Sequence, residues 1–328
     1  MKHMPLPRID ANTKLHDGLL KYCRLSPGQV WHDPEGRHRV GCLDAVDAPA
    51  VEAFMEGEKA VLAVQDPPYN MVAFGTADPD VYVDWCARWI DTVDCILSSD
   101  GSLYVWLGAD QQNHFQPLAD FMIMMRKKPF KSRSFITLRN QRGYGTQKNW
   151  MAVRQELLYY TRGNPVFHVA AEYTDIPKIL RGYYKDVAGV RTENLQRGRS
   201  ETIRAGNVWV DIQQVFYRME ENVSGCFAQK PCKAIERIVQ AGSCPGDCVV
   251  DFFCHSGTTL VACERSRRRC FCVDHDPVFC EITIRRLERL RATGKTGWQA
   301  GNPFENELEN DLQAVVPSDI RGQVAVGK

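Results

Sequence analysis

Asp66-Pro67-Pro68-Tyr69 sets a carboxylate, two prolines and an aromatic ring side by side. The prolines fix φ and donate no N–H, so the loop is stiff and its carbonyls, Pro67 C=O among them, are open to hydrogen bonding. Such a set suits a planar amino group: Asp66 and a backbone carbonyl take its two hydrogens while Tyr69 stacks on the heterocycle. A plain Pro-Pro turn after a core strand, supplied by Val61-Leu62-Ala63-Val64, satisfies the same four residues. A second candidate lies far downstream, where the turn Pro245-Gly246-Asp247, the run Cys248 to Asp251, a small-residue loop at Ser256-Gly257-Thr258 and an apolar helix follow in order. Asp274 ends the next apolar run, about twenty residues past that loop, where an acidic side chain can accept hydrogen bonds from ribose hydroxyls. Nicotinamide dinucleotide proteins share that device but want Gly-x-Gly-x-x-Gly, which a lone Gly257 does not match, and no Gly-Lys-Ser or Gly-Lys-Thr marks a phosphate loop.

Together the two stretches resemble the β class of S-adenosylmethionine-dependent DNA amino-methyltransferases, which modify adenine N6 or cytosine N4. In that class an Asp-Pro-Pro-Tyr loop holding the target precedes an Asp-x-Phe-x-Gly-Ser-Gly loop holding the cofactor. The Asp-Phe-Phe opening at Asp251 is similar to that of adenine-specific members. The resemblance implies Asp66, Pro67, Pro68 and Tyr69 as catalytic residues and S-adenosyl-L-methionine as cofactor. Asp251, Phe253, His255, Ser256, Gly257, Thr258 and Asp274 would bind it, with Lys230 and Pro231 of Gln229-Lys230-Pro231 lying over it. The family's usual His before that trio is Cys226 here. A further departure is His255, which stands where the family has its first glycine. Glycine reaches positive φ freely and has no Cβ to hold a ligand off the backbone. Histidine keeps the turn at a cost of about 1 to 2 kcal/mol. Its ring either turns outward, leaving Ser256, Gly257 and Thr258 to hold the ligand, or takes space at the cofactor's methionine end.

The implied activity is methyl transfer to the exocyclic N6 of an adenine flipped out of double-stranded DNA at a specific sequence, in a restriction–modification or phage setting. Aspartate in the first motif position leans toward adenine, because cytosine-N4 members more often carry Ser there. Cytosine N4, an RNA target, and a DNA-binding protein with a decayed cofactor pocket are the other readings.

Net charge is only +1, so any nucleic-acid face has to be local. From Phe121 to Gln155 there is no Asp or Glu, while basic residues recur and Phe130, Phe135, Tyr144 and Trp150 are interleaved. Arg139, Arg142, Tyr144 and Lys148 are the DNA candidates there, with Gln141 to Gly145 read as a flexible loop carrying a stacking ring. An edge strand protected by lysines is the competing reading. Lys185, Arg197 and Arg199 fall between the two motifs, where the family carries its target-recognition region; arginine can bond two atoms of a guanine edge. A surface insertion with solubilising charges fits them too.

The chain has 328 residues, 44% hydrophobic and 25% charged, enough for one large domain with an insertion. No apolar run approaches a membrane span and Met1-Lys2-His3-Met4-Pro5 opens no signal peptide, so the expectation is a cytoplasmic protein, monomer or homodimer, with no membrane partner. Thirteen cysteines in so large a chain read as reduced thiols; Cys270 and Cys272 share one strand face and need no metal. No metal is expected. Alternating strand and helix signals predict a doubly wound, mostly parallel α/β sheet with ligands beyond the strand carboxyl ends. The expected division is an extended arm over 1–39, a catalytic half over 40–165, a target-recognition insertion over 166–206, a cofactor half over 207–298 and a fraying tail over 299–328.

Overall fold

A computed structural model of the chain describes residues 5–69, 78–109, 114–144, 150–179, 184–193, 200–299 and 301–309. The elements run α1 (Thr13–Leu20), β1 (Val30–His32), β2 (His38–Cys42), α2 (Ala48–Met55), β3 (Ala60–Gln65), α3 (Pro79–Ile96) and β4 (Leu97–Leu107). Next come α4 (Leu118–Met125), β5 (Lys131–Tyr144), β6 (Ala152–Arg162) and the short strands β7 (Tyr173–Pro177), β8 (Tyr184–Val187), β9 (Val190–Glu193), β10 (Thr202–Arg204) and β11 (Val208–Trp209). The chain closes with α5 (Cys232–Gly242), β12 (Cys248–Asp251), α6 (Thr258–Arg265), β13 (Arg269–Asp274) and α7 (Pro277–Thr293).

Among the described residues one sheet has the order β1-β2-β13-β12-β3-β4-β6-β5-β11. Strands β2, β13, β12, β3 and β4 are parallel neighbours, and β6 pairs antiparallel with both β4 and β5. Strand alternation divides the core. Ala63, Leu103, Val105, Val250, Phe271 and Val273 pack toward α2, α3 and α4, while Leu62, Val64, Tyr104, Trp106, Val249 and Cys272 pack toward α5, α6 and α7. From β12 the chain crosses to β13 on one side, and from β3 it crosses to β4 on the other. The gap between β12 and β3 is therefore the topological switch point, and both motif loops leave the sheet there.

Residues 166–206 contribute β7 with β10 and β8 with β9 as two separate hairpin-like pairs, outside the main sheet. Two expectations are corrected. Residues 5–39, expected as an extended arm, are docked: Ile9 and Leu19 are buried against Val278, Phe279 and Ile282 of α7, and Arg24 bonds Glu281 and Glu288 of the same helix. Apolar residues too sparse to show a period still suffice to dock a segment. The tail does not fray from Gln299, because Phe304 is fully buried in that same cluster; residues 310–328 lie outside the described residues. All thirteen cysteines are free, and the Cys270 and Cys272 sulfurs lie 3.4 Å apart on one face of β13.

Candidate active site

Strand β3 delivers Asp66 to the switch point with Pro67 buried and Asp66, Pro68 and Tyr69 half-buried. The carbonyl of Pro68 is taken by the hydroxyl of Tyr82 on α3, which donates to it at 3.0 Å. The loop is thus tied to the helix that follows it. Asp66 Oδ2 accepts a hydrogen bond from Lys230 Nζ at 2.7 Å. Lys230 is 6% exposed; burial acts to lower its pKa, but Asp66 and Tyr69 beside it outweigh this and leave it raised, so the group is an ammonium. Burial pushes the Tyr69 phenol up.

The cofactor-type loop is held far more tightly. Asp251 accepts from Phe253 N at 2.9 Å and from Thr259 Oγ1 at 2.5 Å, and burial pushes its carboxyl well above the usual range. Asp274 accepts from His255 N at 2.9 Å and from Asp276 N at 3.1 Å; burial raises it as well. Gly257 has φ of 73° and N-caps α6 with no side-chain cap. A Cβ on it would meet the Thr283 backbone at 3.0 Å, so glycine is required by space and conformation together. Behind the loop Arg286 of α7, wholly buried, donates to Ser256 O (2.8 Å), Thr258 Oγ1 (2.9 Å), Thr296 O (2.5 Å) and Glu221 O (3.2 Å). The Phe253 ring packs against Trp85 and Trp89.

His255 takes positive φ, 45°, as glycine would. Its ring is half-buried and packs on Phe279 at 4.6 Å, so it turns neither fully outward nor across the loop; it forms part of the cavity wall. Burial lowers its pKa to about 4, leaving a neutral ring at pH 7.

Asp66, Trp106, Lys230, Asp251, Phe253, His255, Ser256 and Thr258 line one cavity between the two loops. It has about 20 Å³ of free volume, room for a water, and two of its lining residues, Lys230 and Asp66, are bonded to each other. The donor set fits S-adenosylmethionine on three observations. The uncapped N-terminus of α6 offers N–H groups to a carboxylate. Asp251 faces that end with a carboxyl for an ammonium, and Asp274 ends β13 with one for ribose hydroxyls. Trp106 Nε1, a buried donor in the cavity wall, has no partner among the described residues.

Tyr82, Trp106, Thr259 and Arg286 were not picked out from the sequence. Arg286 did carry a signal: it follows Ile282 and precedes Leu290 by four residues each, which puts a cation on the apolar stripe of α7. Pro231 N-caps α5, the role a proline takes at any helix start.

The basic segment is corrected from one face to two. Register puts Lys131 opposite Thr161, at the sheet end remote from the motif loops, whereas Arg139 sits opposite Arg154 at the loop end. Arg139 is exposed, and the Arg154 opposite it is paired with Glu156 at 2.8 Å. Gln141 to Tyr144, expected within a flexible loop, belong to β5, and Gly145 lies outside the described residues. Lys148, Arg197 and Arg199 lie outside the described residues, as do the side chains of Arg142, Tyr144 and Lys185.

The architecture is that of the doubly wound proteins that bind nucleotides at a switch point. Within that class the chain belongs to the N6/N4 family of DNA methylases, whose family model matches residues 61–285 and so takes in both loops. It is an S-adenosylmethionine-dependent DNA methyltransferase. Its relatives include the Type II methyltransferase M1.MboII of Moraxella bovis, 29% identical over 70% of this chain and 88% of that one. Type II methyltransferase M.HpaI of Haemophilus parainfluenzae is 24% identical over 71% and 70%. DNA adenine methyltransferase YhdJ of Escherichia coli (strain K12) is 26% identical over 74% and 81%. Among solved structures the cytosine-N4-specific PvuII DNA methyltransferase superposes with a TM-score of 0.56 at 15% identity, over 80% of this chain and 89% of that one, a likeness of fold. No described helix is long and apolar enough to cross a membrane.

Proposed function

We propose that the chain methylates the exocyclic N6 of an adenine flipped out of double-stranded DNA at a specific sequence, as a Type II modification enzyme. The observation that carries the reading is Asp66: a half-buried carboxylate at the switch point, three residues before Tyr69, whose Oδ1 takes no hydrogen bond among the described residues while Oδ2 is held by Lys230. An adenine amino group is a poor nucleophile because its lone pair is delocalised into the ring. Accepting its two hydrogens at Asp66 Oδ1 and Pro67 C=O favours the tetrahedral nitrogen that attacks. Tyr69 replaces the stacking lost on flipping. Bound S-adenosylmethionine would supply an electrophilic methyl; Asp251, the α6 N-terminus, Asp274 and the Ser256-Gly257-Thr258 backbone would hold it next to the flipped base. Arg139 and Arg154, at the same sheet end, supply phosphate contacts. Digesting DNA methylated by the purified protein to nucleosides and weighing the products tests the reading: N6-methyldeoxyadenosine is expected, and N4-methyldeoxycytidine alone would replace it with the cytosine reading.

A further inference from the structure

Lys230 joins the two loops by different atoms. Its carbonyl accepts from Thr258 Oγ1 of the cofactor loop at 3.2 Å, while its side chain crosses the cavity to Asp66. The ammonium stands 5.7 Å from the centroids of both the Tyr69 and Trp106 rings, so the stem is packed and the head has one carboxylate to meet. The motif resemblance gives this lysine to the cofactor; the geometry gives its charge to the target loop.

We infer that Lys230 is a positioning residue for methyl transfer: it holds Asp66 by Oδ2 in one plane and so presents Oδ1 to the target amino group. The inference rests on the reading of Asp66 as the acceptor of that group. Two physical arguments support it. A carboxylate on a loop rotates about its last torsion, and an acceptor that rotates is out of line for much of the time. A charged donor bonded at 2.7 Å also holds its acceptor more firmly than a neutral one would. Lys230 stays an ammonium because Asp66 and Tyr69 together outweigh the burial that acts to lower its pKa.

The test uses Lys230→Met, which keeps the stem and removes the charge, and Lys230→Arg, which keeps a cation. Methyl transfer from labelled S-adenosylmethionine to unmethylated genomic DNA is followed in a single turnover, and cofactor affinity is measured by calorimetry without DNA. Lys230→Met is expected to slow transfer on the order of 100-fold, the scale of a misplaced reacting group. Cofactor affinity should stay within roughly threefold, with Lys230→Arg recovering about a tenth or more of the rate. Transfer by Lys230→Met at the parent rate, or a rate loss matched by an equal loss of cofactor affinity, would overturn the inference. If Lys230→Met does not fold, a lysine-labelled NMR titration of the parent and of Asp66→Asn decides. Lys230 should titrate above an ordinary lysine in the first and lower in the second, where Tyr69 alone opposes burial. Identical titration in both overturns it. Methylation of cytosine in place of adenine would sink the adenine reading and leave the Lys230 ratios to be judged on the same counts.

Discussion

The two loops that meet at the switch point are built to opposite specifications. Around the cofactor loop the acidic side chains and the Ser256-to-Thr258 turn are tied inside the protein: Asp251 to Thr259 and Phe253, Asp274 to His255 and Asp276, Ser256 and Thr258 to a buried arginine. The target loop is tied by two bonds, Tyr82 to Pro68 and Lys230 to Asp66, and its acidic side chain is half open. A loop that binds the same small molecule in every cycle gains from being fixed beforehand. A loop that receives a base swung out of a duplex has to expose its acceptor and exchange partners.

That contrast predicts different failures. The largest effect is expected on chemistry: Asp66→Ala should lower methyl transfer by about 100-fold or more, on the scale of deleting one preorganised polar contact to the reacting group. Cofactor affinity by calorimetry should stay near the parent value, because no part of the cofactor loop leans on Asp66. In the other loop the same deletion should break the fold. Arg286→Met leaves the carbonyls of Ser256 and Thr296 without their buried donor, while Glu221 O keeps Gln229, and should cost about 3 kcal/mol in urea unfolding, with cofactor binding lost in step. Unchanged stability with lost binding would mean that Arg286 touches the ligand instead of shaping the loop.

His255 tests how far the rigid loop tolerates its departure from glycine. With the ring on Phe279 and φ already positive, His255→Gly should tighten S-adenosylmethionine binding by less than about tenfold. A larger gain would mean the ring blocks the site. The pH dependence has a definite sign. The folded-state pKa, about 4, lies below the unfolded value near 6.5, so the unfolded chain binds more protons between the two. Stability from this group is present above pH about 6.5 and is lost as pH falls toward 4. His255→Gln should flatten that acid limb in thermal melts; an unaltered limb would assign it to other groups. The smallest effect belongs to the DNA face, where Arg139→Ala should reduce the salt slope of DNA binding by roughly one unit. An unchanged slope would place Arg139 away from phosphate.

The same contrast explains what could be read from sequence. Asp66-Pro67-Pro68-Tyr69 and Asp251 to Thr258 are local motifs, and strand alternation was enough to place both at strand ends on one side of a sheet. The arm and the tail were misread because docking onto α7 needs only Ile9, Leu19 and Phe304, single residues that make no pattern. The basic segment was misread because composition ignores strand direction, and direction sends Lys131 and Arg139 to opposite ends of β5. The Lys230 to Asp66 pair was illegible for a deeper reason. Its partners are 164 residues apart and belong to different motifs, so nothing short of the folded sheet brings them together.

The central claim, adenine N6 methylation with Asp66 as acceptor, is tested most directly by methylation-sensitive long-read sequencing of DNA from a host lacking its own methyltransferases. The host would express either the parent chain or Asp66→Ala. The account predicts N6-methyladenine at one defined sequence with the parent and none at that sequence with the variant. N4-methylcytosine, or a mark that persists when Asp66 is removed, would contradict it.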